Sequence, residues 1–179
     1  LWEKYGGFVM TVITVVLLSV AGYRGWGWYQ SNQAAEAGAV YDQLRVAIGA
    51  KDIAKVKEHA GTIFSSYGST IYGPMAALLA ARAYHDSGDL KSAKAPLQWA
   101  IEKSSEPALA SAARLNLAGI LLDEKSYAQA LDLLSTDAGG SFAGEFADRR
   151  GDILLASDKP DQARAAYQEA LQKLPERSA

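Results

Sequence analysis

GDLKSAKAPL, Gly88 to Leu97, is the stretch that decides the fold, because the same pattern returns twice. KSYAQALDLL (Lys125 to Leu134) and DKPDQARAAY (Asp158 to Tyr167) share its order: a short polar turn, an alanine five residues after the first position, and a large apolar residue four further on. The alanines are Ala93, Ala130 and Ala163, spaced 37 and 33. Upstream of each turn, apolar residues fall at helical spacing over Met75 to Tyr84, Ala108 to Leu122 and Phe142 to Leu155.

Two helices every ~34 residues is the tetratricopeptide period. Its pattern needs a small residue wherever two helices touch, since a larger side chain would hold the backbones apart. Ala81, Tyr84, Ala93 and Ala100 meet that need in the first unit, and Ala118 and Ala130 in the second. Gly151, Ala163, Tyr167 and Ala170, with Pro175 after them, do so in the third. Tryptophan is missing from the large position of all three, and Pro96 predicts a kink inside the second helix of the first unit. Val40, Tyr41, Leu44 and Ile48, then Ile53, Val56, Ala60, Ile63 and Phe64, mark a degenerate hairpin before the repeats. The fold expected is all-α: repeats over about 74–107, 108–140 and 141–177, preceded at 30–72 by a linker and that hairpin. Ser31 to Ala37 is a short bridge that can itself be helical.

Residues 1–29 are of another kind. No charge falls between Tyr5 and Tyr23, and no turn signal interrupts Phe8 to Ala21. As a helix this run reaches roughly 28 Å, close to the ~30 Å hydrocarbon core of a bilayer; a buried strand is far shorter. Ser19-Val20-Ala21 resembles a signal-peptide cleavage site. Against cleavage stand Trp2 at one end and Arg24, Trp26, Trp28 and Tyr29 at the other, an interfacial belt typical of a resident transmembrane helix. The reading is an uncleaved single span from Tyr5 to Tyr23. Leu1 is not a start methionine, so further N-terminal residues are expected. A polar capping helix is expected beyond the last repeat.

Composition narrows the function. With 18 Lys+Arg against 20 Asp+Glu there is no clustered positive charge of the kind nucleic acid requires. Zero cysteines exclude disulfides, thiolate metal sites and thiol nucleophiles. His59 and His85 are the only histidines and neither sits in a catalytic or metal-ligating pattern, so no enzyme, cofactor or metal is expected. Gly139-Gly140-Ser141 lacks the lysine of a phosphate loop and reads as a helix break with Ser141 as N-cap. Asp148 to Asp152 reads as salt-linked helix surface, with a binding role for Arg149 or Arg150 the lesser alternative. What remains is the concave face of the repeats, where Met75, Leu78, Arg82, His85, Ala112, Leu115 and Gly119 are the candidate groove residues.

Five stretches together carry a resemblance: YRGWGWYQ (23–30), AVYDQL (39–44), AYHDSGDLKSA (83–93), ARLNLAGILLDEKSYAQALDLL (113–134) and DRRGDILLASDKPDQARAAYQEAL (148–171). In this order they resemble the YfgM-like family, ancillary subunits of the bacterial SecYEG translocon. The resemblance implies a bacterial inner-membrane protein with a cytoplasmic N-terminus and periplasmic repeats. It implies as partners the translocon and a membrane-anchored periplasmic chaperone of the prolyl-isomerase-like type, with translocating polypeptides as further candidates. A membrane-tethered holdase and a scaffold for envelope assembly or cell division, where a related repeat domain also occurs, are the rival readings. Lys4 and Arg24 give one positive charge to each side of the span, so charge alone leaves the orientation open.

Deleting Phe8 to Ala21 should leave a folded, water-soluble helical domain, because the periodic core begins beyond residue 37. Chromatography and thermal melting check this; an aggregating fragment, or one that melts without a cooperative transition, contradicts the two-part architecture.

Overall fold

The computed structural model describes the backbone of residues 2–135 and 140–174, with side chains at 7 and from 10 onward. Trp2 and Tyr5 as side chains, Gly139, and the repeat's end at 175–177 with Pro175 lie outside the described residues. Within them the secondary structure is entirely helical: α1 (Trp2–Gly49), α2 (Ile53–Ser66), α3 (Tyr72–Asp86), α4 (Leu90–Lys103), α5 (Pro107–Asp123), α6 (Tyr127–Ser135), α7 (Ala143–Ala156) and α8 (Pro160–Lys173).

The helices pair as hairpins α1–α2, α3–α4, α5–α6 and α7–α8, and the first helices of successive hairpins also touch: α1 with α3, α3 with α5, α5 with α7. All four hairpins turn in the same way. Lys51, Gly88, Lys125 and Asp158 each adopt a left-handed conformation, at φ of 55°, 83°, 59° and 60°. In each turn two backbone N–H groups cap the end of the preceding helix, as Gly88 N–H does on His85 O at 2.9 Å and Asp89 N–H on Tyr84 O at 2.9 Å. These turn residues are spaced 37, 37 and 33, so the first hairpin is built as a repeat like the others. Asp52 and Asp89 then start the next helix by accepting the N–H of Lys55 and Ser92 at 3.1 and 3.0 Å. Hydrogen bonding from Ser92 holds the Asp89 carboxyl below its usual range.

The core follows the repeat register. Ala81, Tyr84, Ala93, Ala100, Ala118, Ala130, Gly151, Ala163 and Ala170 are buried, and Tyr167 is half-buried. Around them Leu44, Val56, Ile63, Leu97, Leu134, Phe146 and Ile153 lose essentially all contact with solvent. A Cβ on Gly151 would run into the Tyr167 ring, so this crossing admits only glycine at its present spacing. The Tyr167 hydroxyl donates to Asp152 Oδ1 at 3.0 Å, and burial together with that bond pushes the phenol pKa up. Arg150 reaches Glu169 at 2.6 Å, tying α7 to α8.

The bridge at Ser31 to Ala37 takes the helical form open to it: α1 runs from the apolar span into the repeat domain as one helix, because nothing between Arg24 and Gly49 terminates it. One expectation changes. Ser141 is not an N-cap. Helix α7 starts at Ala143 after a turn through Gly140 (φ 87°), and Phe142 stands at the cap position without a side-chain hydrogen bond. Pro96 lies inside α4, which continues as one helix around it, and the ring takes a buried place. Its missing N–H leaves only the Ser92 carbonyl without its usual helical donor.

Ala130→Leu forces three more carbons into a fully buried position and should cost about 1–3 kcal/mol. Ala128→Leu, on the exposed side of α6, should cost clearly less. Denaturant unfolding of the two variants compares them, and equal stability would mean that the register is misplaced.

Candidate functional site

Because α3, α5 and α7 lie side by side, their outer faces form one wall, and a groove of about 560 Å³ runs across it. Leu78, Arg82 and His85 line it from α3, and Ala112, Leu115 and Gly119 from α5. Met75, one turn before Leu78, is half-buried and does not line the groove. Leu79, Asn116 and Arg149 are among the lining residues that the sequence reading left out of the groove. They occupy one register position in three repeats, spaced 37 and 33. Each stands one residue after the set that includes Leu78 and Leu115. The repeat period applied to that next position would have found them; the array brings a second row of side chains into the same hollow.

The floor is apolar and the rim is charged. Leu78, Leu79, Leu97, Leu115 and Ile120 supply the floor. At the rim Arg82 Nε lies 3.7 Å from Asp86, and Arg149 lies 3.5 Å from Asp152. His85 stands between Asp86, at 3.6 Å, and Asp123 of α5, at 3.9 Å. These exposed pairs are each worth at most ~1 kcal/mol, so an incoming polar group can replace them at little cost. The paired charges give no dominant sign, and the groove fits a segment of mixed apolar and polar character. Arg150 turns away into its tie with Glu169, which leaves Arg149 as the arginine of that pair on the groove.

Nothing in this arrangement positions a nucleophile against a base. Among the described residues no group of three or more His, Cys, Asp or Glu side chains could hold a metal ion. His59 lies apart, by Lys55 and Asp52 in a shallow hollow between α1 and α2.

The other functional element is the first half of α1, which is long and apolar enough to cross a membrane. Leu17 and Leu18 are exposed, with Tyr23, Trp26, Trp28 and Tyr29 beyond them. The hydroxyls of Thr11, Thr14 and Ser19 donate to the carbonyls four residues back, at 2.9, 2.8 and 2.8 Å. Their donors are therefore satisfied inside the helix, as an apolar surrounding requires.

Comparison with known proteins gives a match along the whole chain. The profile of a family described as tetratricopeptide repeat-like domain matches residues 1–179. A protein of Neisseria gonorrhoeae named ancillary SecYEG translocon subunit is 26% identical over 181 residues, covering 99% of this chain and 85% of its own length. A protein of the same name from Haemophilus influenzae is 29% identical over 174 residues, covering 96% and 84%.

Gly119→Leu separates groove from fold. A Cβ at this position would meet nothing within 4 Å, and leucine favours a helix interior over glycine by up to ~1 kcal/mol. Thermal melting should find the variant as stable as the parent or more so. A destabilised variant would place residue 119 against packed atoms instead of open space.

Proposed function

The chain belongs to the tetratricopeptide repeat-like domain family over its whole length, and on that premise we propose that it is a single-pass, membrane-anchored interaction module of the SecYEG translocon. In this reading it has no enzymatic role. Helix α1 holds the protein in the bacterial inner membrane, with its N-terminus cytoplasmic and its repeats periplasmic, and the groove links the translocon to a membrane-anchored periplasmic chaperone of the prolyl-isomerase-like type.

The observation that carries the reading is the join between the two functional elements: one helix is both the apolar span and the first helix of a grooved repeat array. The two ancillary translocon subunits, similar over almost the whole chain, supply the partner. Tyr23, Trp26, Trp28 and Tyr29 act as interfacial anchors around Arg24 in this reading. A groove with so small an apolar floor binds weakly by itself. Confinement to the membrane compensates, because a partner held in the same bilayer is met at high effective concentration.

A holdase would need a larger uninterrupted apolar patch than the leucines of this floor provide, since the charged rim comes close on every side. That reading is a possible outcome of the test.

A photo-crosslinking amino acid at Leu115, in intact inner membranes, should capture translocon subunits and a membrane-bound chaperone. Leu78→Asp with Arg82→Glu, or Gly119→Leu alone, should reduce capture several-fold while circular dichroism shows full helicity. Capture unchanged by either variant removes the groove from the mechanism. Capture dominated by unfolded polypeptides would replace the linker reading with the holdase.

A further inference from the structure

Where the groove stands relative to the bilayer follows from α1. Taking Arg24 as the end of the apolar span, Leu44, the first large residue of the core, lies about 30 Å further along the same helix. Between them the helix contains three glycines, Gly25, Gly27 and Gly38, the last of them covered by Tyr72. Gly25 and Gly27 sit at the membrane edge among Trp26, Trp28 and Tyr29, where the cost of unpaired backbone groups near lipid favours continued helix. Asn32 then donates to Glu36 at 2.8 Å, one turn on. The other oxygen of the same carboxylate accepts the hydroxyl of Tyr67, at the end of α2, at 3.2 Å; this bond raises the Tyr67 phenol pKa.

One turn further, Tyr72 at the start of α3 packs against α1. Its ring lies 5.3 Å from that of Tyr41, and a Cβ on Gly38 would be 3.1 Å from its hydroxyl. The stalk is thus gripped on two sides where it enters the fold, by the end of α2 and by the start of α3. The α2–α3 corner is itself tight: Trp99 of α4 stacks on Phe64 at 4.8 Å and would lie 3.0 Å from a Cβ on Gly68 and 2.9 Å from one on Gly73.

The direction of the groove follows too. Helix α3 begins beside Gly38 and Tyr41, and the α1 residues from 22 to 32 are all exposed, so α3 cannot run back toward the membrane along them. It runs with α1, away from the bilayer. Leu78 therefore lies at roughly the height of Leu44, and Arg82, His85 and Asp86 lie higher still.

We propose that α1 is a rigid mast that fixes the height and the azimuth of the groove, so that the groove receives a protein segment projecting about 30 Å or more above the membrane surface and not one lying on or in the bilayer. The mast follows from α1 alone, whereas its consequence for partner choice rests on the groove being the working face.

The test uses the full chain in lipid nanodiscs. The sequence has no cysteine, so Leu18→Cys with Gln98→Cys gives a unique spin-label pair between span and repeats, both at exposed positions. Double electron–electron resonance should give a distance distribution several-fold narrower than that of a variant with six glycine and serine residues inserted between Ser31 and Asn32. Equal widths overturn the mast. Alanine insertions at the same point then test azimuth. Two alanines turn the domain by about 200° and four by about 400°, close to a full circle. Capture from Leu115 should fall several-fold with two and largely return with four. Capture that is flat, or that falls steadily with length, overturns the azimuthal claim. A native chain with a narrow distribution and no capture would overturn the translocon reading while leaving the mast standing.

Discussion

The structure depends on how closely the two helices of a hairpin can approach. At Gly151 and Tyr167 the approach is so close that a methyl group has no room. The same register holds Ala81 with Leu97 and Ala118 with Leu134, all of them buried. Small residues at these crossings let the backbones close, and the apolar side chains around them then exclude water from both sides. A core rich in alanine is stabilised through this proximity, because each alanine removes little surface and the gain comes from many close contacts. That is why so few large residues, among them Leu44, Ile63, Phe146 and Ile153, suffice to hold the eight helices of the described residues.

A second constraint acts at the membrane end. Most chains of this kind could join an anchor to a domain with a flexible linker; here the same backbone hydrogen bonds run through both. The exposed part of α1 would be a marginal helix by itself, since isolated helices of a few turns are weakly stable in water. It persists because lipid stabilises one end and the repeat core the other, with Glu36 joined to Asn32 and Tyr67 between them. Local order in this segment is therefore a property of the whole protein, and no part of it is legible from propensity alone.

The repeats were legible in the sequence because their rule is local: an alanine at a fixed distance from a turn, repeated three times. The hairpin of α1 and α2 shows less of this rule, since Val56 and Ala60 depart from the alanine pattern. Its kinship lies in the backbone. Lys51, Lys125 and Asp158 adopt the left-handed conformation that glycine adopts at position 88, and a lysine does not advertise it. Ser141 failed for the opposite reason, being a good capping residue placed one position too early for the helix that forms. Pro96 is accommodated because tertiary packing buries its ring, an influence that propensity does not contain. In the groove, Leu78, Arg82 and Leu115 could be read from the repeat register, whereas Leu79, Asn116 and Arg149 depend on how successive hairpins are rotated. That rotation is set by packing between repeats, and a single sequence carries it only as the recurring spacing of 37 and 33.

These features bear on function in one direction. The groove pairs its charges internally, offers a short apolar floor, and brings together side chains from three repeats, so it selects by shape and mixed polarity instead of by a single strong contact. Such a surface discriminates poorly among free partners in solution, where the full entropic cost of association applies. Held at one height over the bilayer it meets only what projects to that height beside it, and much of the selection passes from contact chemistry to geometry. A modest groove can then serve a specific role, provided that the mast stays rigid. The close packing of Tyr41, Tyr67 and Tyr72 around the base of α1 contributes to specificity in this way, although none of these residues lines the groove.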